Sequence, residues 1–176
     1  MPEPFAWKPC HALERNRLPG AVRQWLLDRG SLTERLKQAS DGDFAVQLLA
    51  QRWQRPTHDE AALLGLRPRE QALVREVLLL CHGQPWVYAR SVLPHATLSG
   101  PLRFLRRLQN QALGGLLFRD PSLQRSHFML TTVQLPHAAI PLAINTPCTV
   151  YGRRSLFRLQ DQPLLVAEFF LPACRL

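Results

Sequence analysis

The run "QALVREVLLLCHGQPWVYARSVLP", from Gln71 to Pro94, constrains the fold more than any other stretch of the chain. Two β-rich segments flank His82-Gly83-Gln84, and Pro94 closes the second. Turn residues between such runs predict an antiparallel hairpin, because parallel neighbours need a long crossover. The chain closes on a second pairing of this kind. "RRSLFRLQDQPLLVAEFFLP" reads as strand, a turn at Asp161-Gln162-Pro163, and strand. "DFAVQLLAQRW", after the turn signal Asp41-Gly42, and "HFMLTTVQL" bring the sheet to about six strands. Helices fit between them. "AVRQWLLDRG" predicts a short amphipathic helix stopped by Gly30, and Ser31 with Glu34 predicts a capping box opening the next. A helical turn is expected from Asp59 to Leu64, and "PLRFLRRLQNQALGGLLF" reads as two short helices. "PHAAIPLAINTPCTVYG" reads as a proline-punctuated connection. The expected fold is α+β: a single antiparallel sheet with helices on one face. With 176 residues, no internal repeat and no linker, one domain spanning 1–176 is expected.

No apolar run approaches the roughly 18 residues of a membrane span, so no stable membrane insertion is expected. The N-terminal residues lack a charged-then-apolar leader, and the four cysteines lack C-x-x-C spacing. Reduced thiols in a cytoplasmic protein are the expectation. The net charge of +9 raises nucleic acid as a partner. The basic residues are dispersed, however, and the densest groups, "RFLRRL" and "GRRSLFRL", are interleaved with apolar ones. No nucleic-acid partner is expected; a small anionic ligand suits such a surface equally well.

Two charged residues stand out. Alternation places Arg75 on one strand face with Leu73, Val77 and Leu79, and groups Glu168 with Leu164, Val166 and Phe170. Charges on apolar faces are costly unless partnered. A guanidinium presents a planar donor fork matched to a carboxylate, so Arg75 is either a ligand anchor or half of a structural ion pair. Glu168 and Arg75 either pair directly or flank a shared polar ligand. Other chemistries lack support. The six histidines show no metal-ligand spacing, and Ser99 in "TLSGP" lacks a nucleophile elbow and reads as a helix cap. Arg153-Arg154 reads as a solvated strand start.

"REVLLLCHGQPWVYARSVLP", "TLSGP", "ALGGLLF", "GRRSLFRL" and "PLLVAEFFLP", in that order from about Trp25 to Pro172, resemble the chorismate pyruvate-lyase family of ubiquinone biosynthesis. The resemblance implies an antiparallel sheet with helices over a closed ligand pocket. It also implies conversion of chorismate to 4-hydroxybenzoate and pyruvate without metal or cofactor, by a monomer. Arg75 falls on the family's arginine for the ring carboxylate, and Glu168 on its acid near the ring hydroxyl. Leu32 in "GSLTERL" and Leu113 in "ALGG" match two further ligand contacts. Leu32 replaces a frequent methionine, which a contact through backbone N–H would tolerate. Tyr151 stands where tryptophan is common, and the connection from Phe128 to Gly152 is longer than usual. The competing function is a non-catalytic binding protein for small aromatic carboxylic acids.

Overall fold

The computed structural model describes residues 4–10, 18–142 and 146–174. His11 and the 143–145 part of the proline-punctuated connection lie outside the described residues. Among the described residues, β1 (Lys8–Pro9), β2 (Phe44–Gln54), β3 (Ala72–Cys81), β4 (Gln84–Pro94), β5 (Gln124–Arg125), β6 (Met129–Leu135), β7 (Cys148–Leu159) and β8 (Gln162–Phe170) form one sheet. Every pairing is antiparallel. The order is β1-β6-β7-β8-β4-β3-β2, with β5 pairing β7 off that path. The sheet has eight strands rather than the six expected. The additional two, β1 and β5, are two residues long and carry no alternation to read.

Both hairpins turn on two left-handed residues. His82 and Gly83 have φ of 50° and 68°, and Gln160 and Asp161 have φ of 50° and 61°. This backbone twist matches that of the strands it joins. The second turn therefore falls at Gln160-Asp161, and Gln162 and Pro163 already belong to β8. Likewise Cys148 to Gly152 belong to β7, not to the connection. Ile140 and Leu142 of that connection pack onto the sheet with Val133 and Phe169.

Four α-helices are described: α1 (Gly20–Leu26), α2 (Leu32–Ala39), α3 (His58–Leu64) and α4 (Leu113–Leu117). The first of the two helices expected after Pro101 is a 3-10 turn, Pro101–Arg107. α1 ends at Leu26, short of Gly30, whose amide instead donates to the Asp28 side chain (2.8 Å). At α2, Ser31 accepts from the Glu34 amide (3.4 Å), one half of the expected capping box. The complete box is at α3, between Thr57 and Glu60.

One sheet face buries Val77, Leu79, Ala89 and Phe170 under α1 and α2, and Leu73, Phe157 and Leu164 under α4 and the 3-10 turn. α3 is the exception to helices on one face. Its Leu64 packs on the other side, with Val74, Val92 and Leu165. Glu60 ties it there by accepting from Nε and Nη2 of Arg90 (2.8 and 3.0 Å), whose Nη1 donates to Glu76 (2.8 Å).

At Gly152 of β7, side chains from β6 and β8 occupy the space beside the backbone. A Cβ there would lie 2.8 Å from Phe169 Cδ1 and 2.9 Å from Thr131 Cγ2. Gly152→Ala is expected to lower stability by about 1–3 kcal/mol, the usual cost of overpacking. Urea denaturation at unchanged m-value is the measurement, and a wild-type midpoint would show that this junction yields freely.

Candidate active site

Neighbouring rows of residues across β3, β4, β8 and β7 build the floor of the site. One row runs Val77, Ala89, Glu168, Arg153, and the next runs Arg75, Ser91, Val166, Ser155. All project to the face covered by α1, α2 and α4. Adjacent strands are about 4.8 Å apart, so the backbones of Arg75 and Ser155 stand roughly 14 Å apart at opposite ends of their row. Between sheet and helices lies a small cavity of about 40 Å³. Its lining includes Leu32, Arg75, Leu113 and Glu168, the four residues singled out from sequence, together with Ser91 and Arg125.

Leu32 and Leu113 are the first residues of α2 and α4, where backbone N–H groups have no partner within the helix. Neither amide donates elsewhere among the described residues. The two helix starts abut over the cavity, since a Cβ on Gly114 would lie 3.0 Å from Thr33 Oγ1. A side chain at position 114 would push that contact apart.

Arg75 is 1% exposed. Its Nη2 donates to the carbonyls of Gln109 and Gln111, both at 2.8 Å, and its buried Nε has no partner among the described residues. No acid among the described residues forms an ion pair with it. Burial pulls its pKa down to about 10, still far above neutrality, so the site holds a cation without its anion.

Glu168 is partnered by a different arginine. Arg153 Nε donates to its Oε2 at 2.6 Å. Arg153 Nη1 also donates to the carbonyls of Trp25, Leu26 and Asp28 (3.0, 3.3 and 2.8 Å), so it joins the C-terminal end of α1 to the carboxylate. Arg125 Nη2 stands 3.8 Å from the same Oε2. Oε1 has no hydrogen-bond partner among the described residues. Of the two arrangements left open by the sequence, direct pairing is therefore not the one adopted; Arg75 and Glu168 line one cavity, as a shared ligand would require.

Arg153 and Arg154 are not a solvated strand start; they are 1% and 2% exposed in mid-strand. On the opposite face, Arg154 pairs with Asp59 and lies 4.7 Å over the Trp7 ring. Ser99 is not the cap of the turn that follows, a position held by Gly100. Its hydroxyl donates to the Ala96 carbonyl (2.8 Å). Tyr151 packs with the core beneath α1, away from the cavity lining. Among the described residues, no three His, Cys, Asp or Glu side chains converge as metal ligands.

Sequence reasoning passed over Arg153 and Arg125. For Arg153 a signal existed: a two-residue turn at Gln160-Asp161 sets Leu159 opposite Gln162 and Arg153 opposite Glu168. Arg125 had none, because β5 is too short to show which way its side chains point.

The chorismate lyase family model matches residues 1–176. A "Probable chorismate pyruvate-lyase" of Methylococcus capsulatus is 44% identical over 154 residues, covering 86% of this chain and 95% of that one. A relative of the same description from Nitrosomonas europaea is 40% identical over 176 residues, covering 98% and 96%. Among solved structures, the effector domain of PhnF from Mycobacterium smegmatis superposes with a TM-score of 0.60 at 19% identity, covering 84% of this chain and 91% of that one. At that identity the likeness is one of fold alone.

Proposed function

The chain belongs to the chorismate lyase family, and from that premise we propose that it supplies 4-hydroxybenzoate to ubiquinone biosynthesis in the cytoplasm, as one domain over residues 1–176. We assign substrate binding to Leu32, Arg75, Leu113 and Glu168, and the chemistry to Glu168 and Arg75. It is an enzyme, a carbon–oxygen lyase that eliminates pyruvate from chorismate. The observation that carries the assignment is the buried guanidinium of Arg75, facing the cavity with no ion-pair partner among the described residues.

The reaction breaks the ether bond at ring carbon 3 and removes the hydrogen at carbon 4. Electrons of that C–H bond complete the aromatic ring, and the departing enolpyruvate gains a proton to become pyruvate. Aromatisation supplies the driving force, so the protein's work is orientation and one proton transfer. Arg75 donates to the ring carboxylate through Nη1 or Nε, and the amides of Leu32 and Leu113 donate to ligand oxygens. Glu168, held through Oε2, keeps Oε1 for the 4-hydroxyl or for the migrating proton. Arg153 fixes the carboxylate's direction by anchoring it to α1.

Purified protein given chorismate should release equimolar 4-hydroxybenzoate and pyruvate, followed by ultraviolet absorbance. Absence of both products would overturn the reading; a protein that still bound 4-hydroxybenzoate would then be the non-catalytic binder. The pathway role has its own test. Deleting the gene should abolish ubiquinone, and added 4-hydroxybenzoate should restore it; ubiquinone at normal levels in the deletion strain would sink that part.

A ligand that neutralises the Arg75 charge should also stabilise the fold. Product at a hundred times its dissociation constant contributes about 2.7 kcal/mol, roughly 5–10 °C in Tm for a chain of this size. Paired thermal melts read the shift, and none at saturating product would remove the cavity as the ligand site.

A further inference from the structure

The site carries more positive charge than one ligand carboxylate requires. Arg75 and Arg153 are buried around it, the half-buried Arg125 lines it, and Glu168 is the lining carboxylate. Asp28, nearby, is paired with Arg35 at 2.7 Å, so three cations against one anion leave two positive charges uncompensated. Chorismate brings two carboxylates, one on the ring and one on the enolpyruvyl arm, whereas 4-hydroxybenzoate keeps only the first. We propose that Arg125 anchors the carboxylate of the enolpyruvyl arm, opposite the ring carboxylate at Arg75; this rests on the chorismate lyase reading of the site.

The placement supports it. Arg125 lines the cavity, and its Nε donates to Ser155 Oγ (3.0 Å), at the far end of the cross-strand row that begins with Arg75. Its Nη1 donates to the Arg29 carbonyl (3.3 Å), and Nη2 makes no hydrogen bond among the described residues, lying 3.8 Å from Glu168. Phe128 and Phe157 stand 4.4 and 4.9 Å from the guanidinium carbon. These contacts hold the plane of the group while leaving donors for a carboxylate. Burial lowers its pKa to about 10, against the raising effect of Glu168, as expected where the nearby acid compensates only in part. Arg153 already compensates Glu168 at 2.6 Å. With Glu168 between the two anchors, a substrate held at both ends presents the carbons that lose the ether and the hydrogen to that carboxylate. When pyruvate leaves, its charge leaves Arg125, and the product stays on Arg75.

The test is the contrast between substrate and product. In Arg125→Met, kcat/KM for chorismate should fall at least about thirtyfold, within the range of a charge-assisted pair. The dissociation constant of 4-hydroxybenzoate, by calorimetry, should move less than about threefold, and Arg125→Lys should recover part of the loss. If Arg125 served only to position Glu168, substrate and product would weaken together; that result, or unchanged kcat/KM, overturns the proposal. A measurement on the wild-type protein stands independently of the variant's folding. 4-Hydroxybenzoate carrying a carboxymethoxy group at ring position 3 should bind at least about tenfold more tightly than its 3-ethoxy counterpart. No preference between them overturns the proposal as well. Failure of the wild-type protein to turn over chorismate would instead defeat the lyase reading, and the ligand preference does not depend on turnover.

Discussion

Glu168→Gln is expected to fold and to turn over chorismate at least about a hundredfold more slowly than wild type, in the range for losing a positioned acid or base. The substitution keeps the size of the side chain and removes its charge and basicity. Arg153 Nε can still donate to the amide oxygen, and the carbonyls of Trp25, Leu26 and Asp28 still accept from Nη1. Buried Arg153 loses its counter-ion, which should lower stability by about 1–3 kcal/mol. Two readouts separate chemistry from scaffold. A large fall in kcat with product binding retained identifies Glu168 as the group acting on the substrate. Near-native turnover in a folded variant would reduce Glu168 to the counter-ion of Arg153.

Arg75→Lys is expected to weaken 4-hydroxybenzoate binding by about 1–3 kcal/mol, a ten- to hundredfold rise in Kd. Lysine keeps the charge and loses the planar fork. The position makes unusual demands on that group: both protons of Nη2 serve carbonyls, on Gln109 and Gln111, leaving Nη1 and Nε, which point to different sides, as separate donors for a ligand. An ammonium reaching either carbonyl would present its remaining protons in the wrong directions for a carboxylate held by those donors. Had Arg75 been the structural partner of Glu168, lysine would have preserved the attraction, but Arg153 fills that role. The remaining alternative is a brace for the segment before α4. Calorimetric titration of product and melts of the ligand-free forms decide it. Weakened binding with a nearly unchanged melt supports the anchor. An unchanged Kd in a folded variant would mean that the ring carboxylate sits elsewhere. Unlike Arg125→Met, this variant should weaken substrate and product alike.

Local chemistry explains what was legible in the amino-acid order. The two hairpins announce themselves because turn residues and β-rich runs act over a few positions, and His82-Gly83 folds back as read. Alternation was enough to put Arg75 with Val77 and Leu79, and Glu168 with Val166, on the face that became the cavity floor. Leu32 and Leu113 came from the family resemblance, and their positions as first residues of helices give backbone donors a reason to be there.

Which cation meets which anion was decided by register and by packing between distant segments. Closing the last hairpin at Asp161 to Pro163 would set Glu168 opposite Leu156; the turn at Gln160-Asp161 sets it opposite Arg153 instead. Three positions of register therefore separate a carboxylate facing leucine from one held by a buried guanidinium. Arg153 and Arg154 are adjacent and chemically identical, yet the pleat sends one to Glu168 and the other to Asp59 on the opposite face. Arg125 reaches the cavity from a two-residue strand, carried there by β7 and three phenylalanines far from it or unremarkable in sequence. Residue order alone determined the six longer strands, their faces and that Arg75 and Glu168 stand on one of them. The cavity, the charge left over around it and the partner of each charge belong to the tertiary structure, because burial and pairing depend on what the rest of the chain brings within a few ångströms.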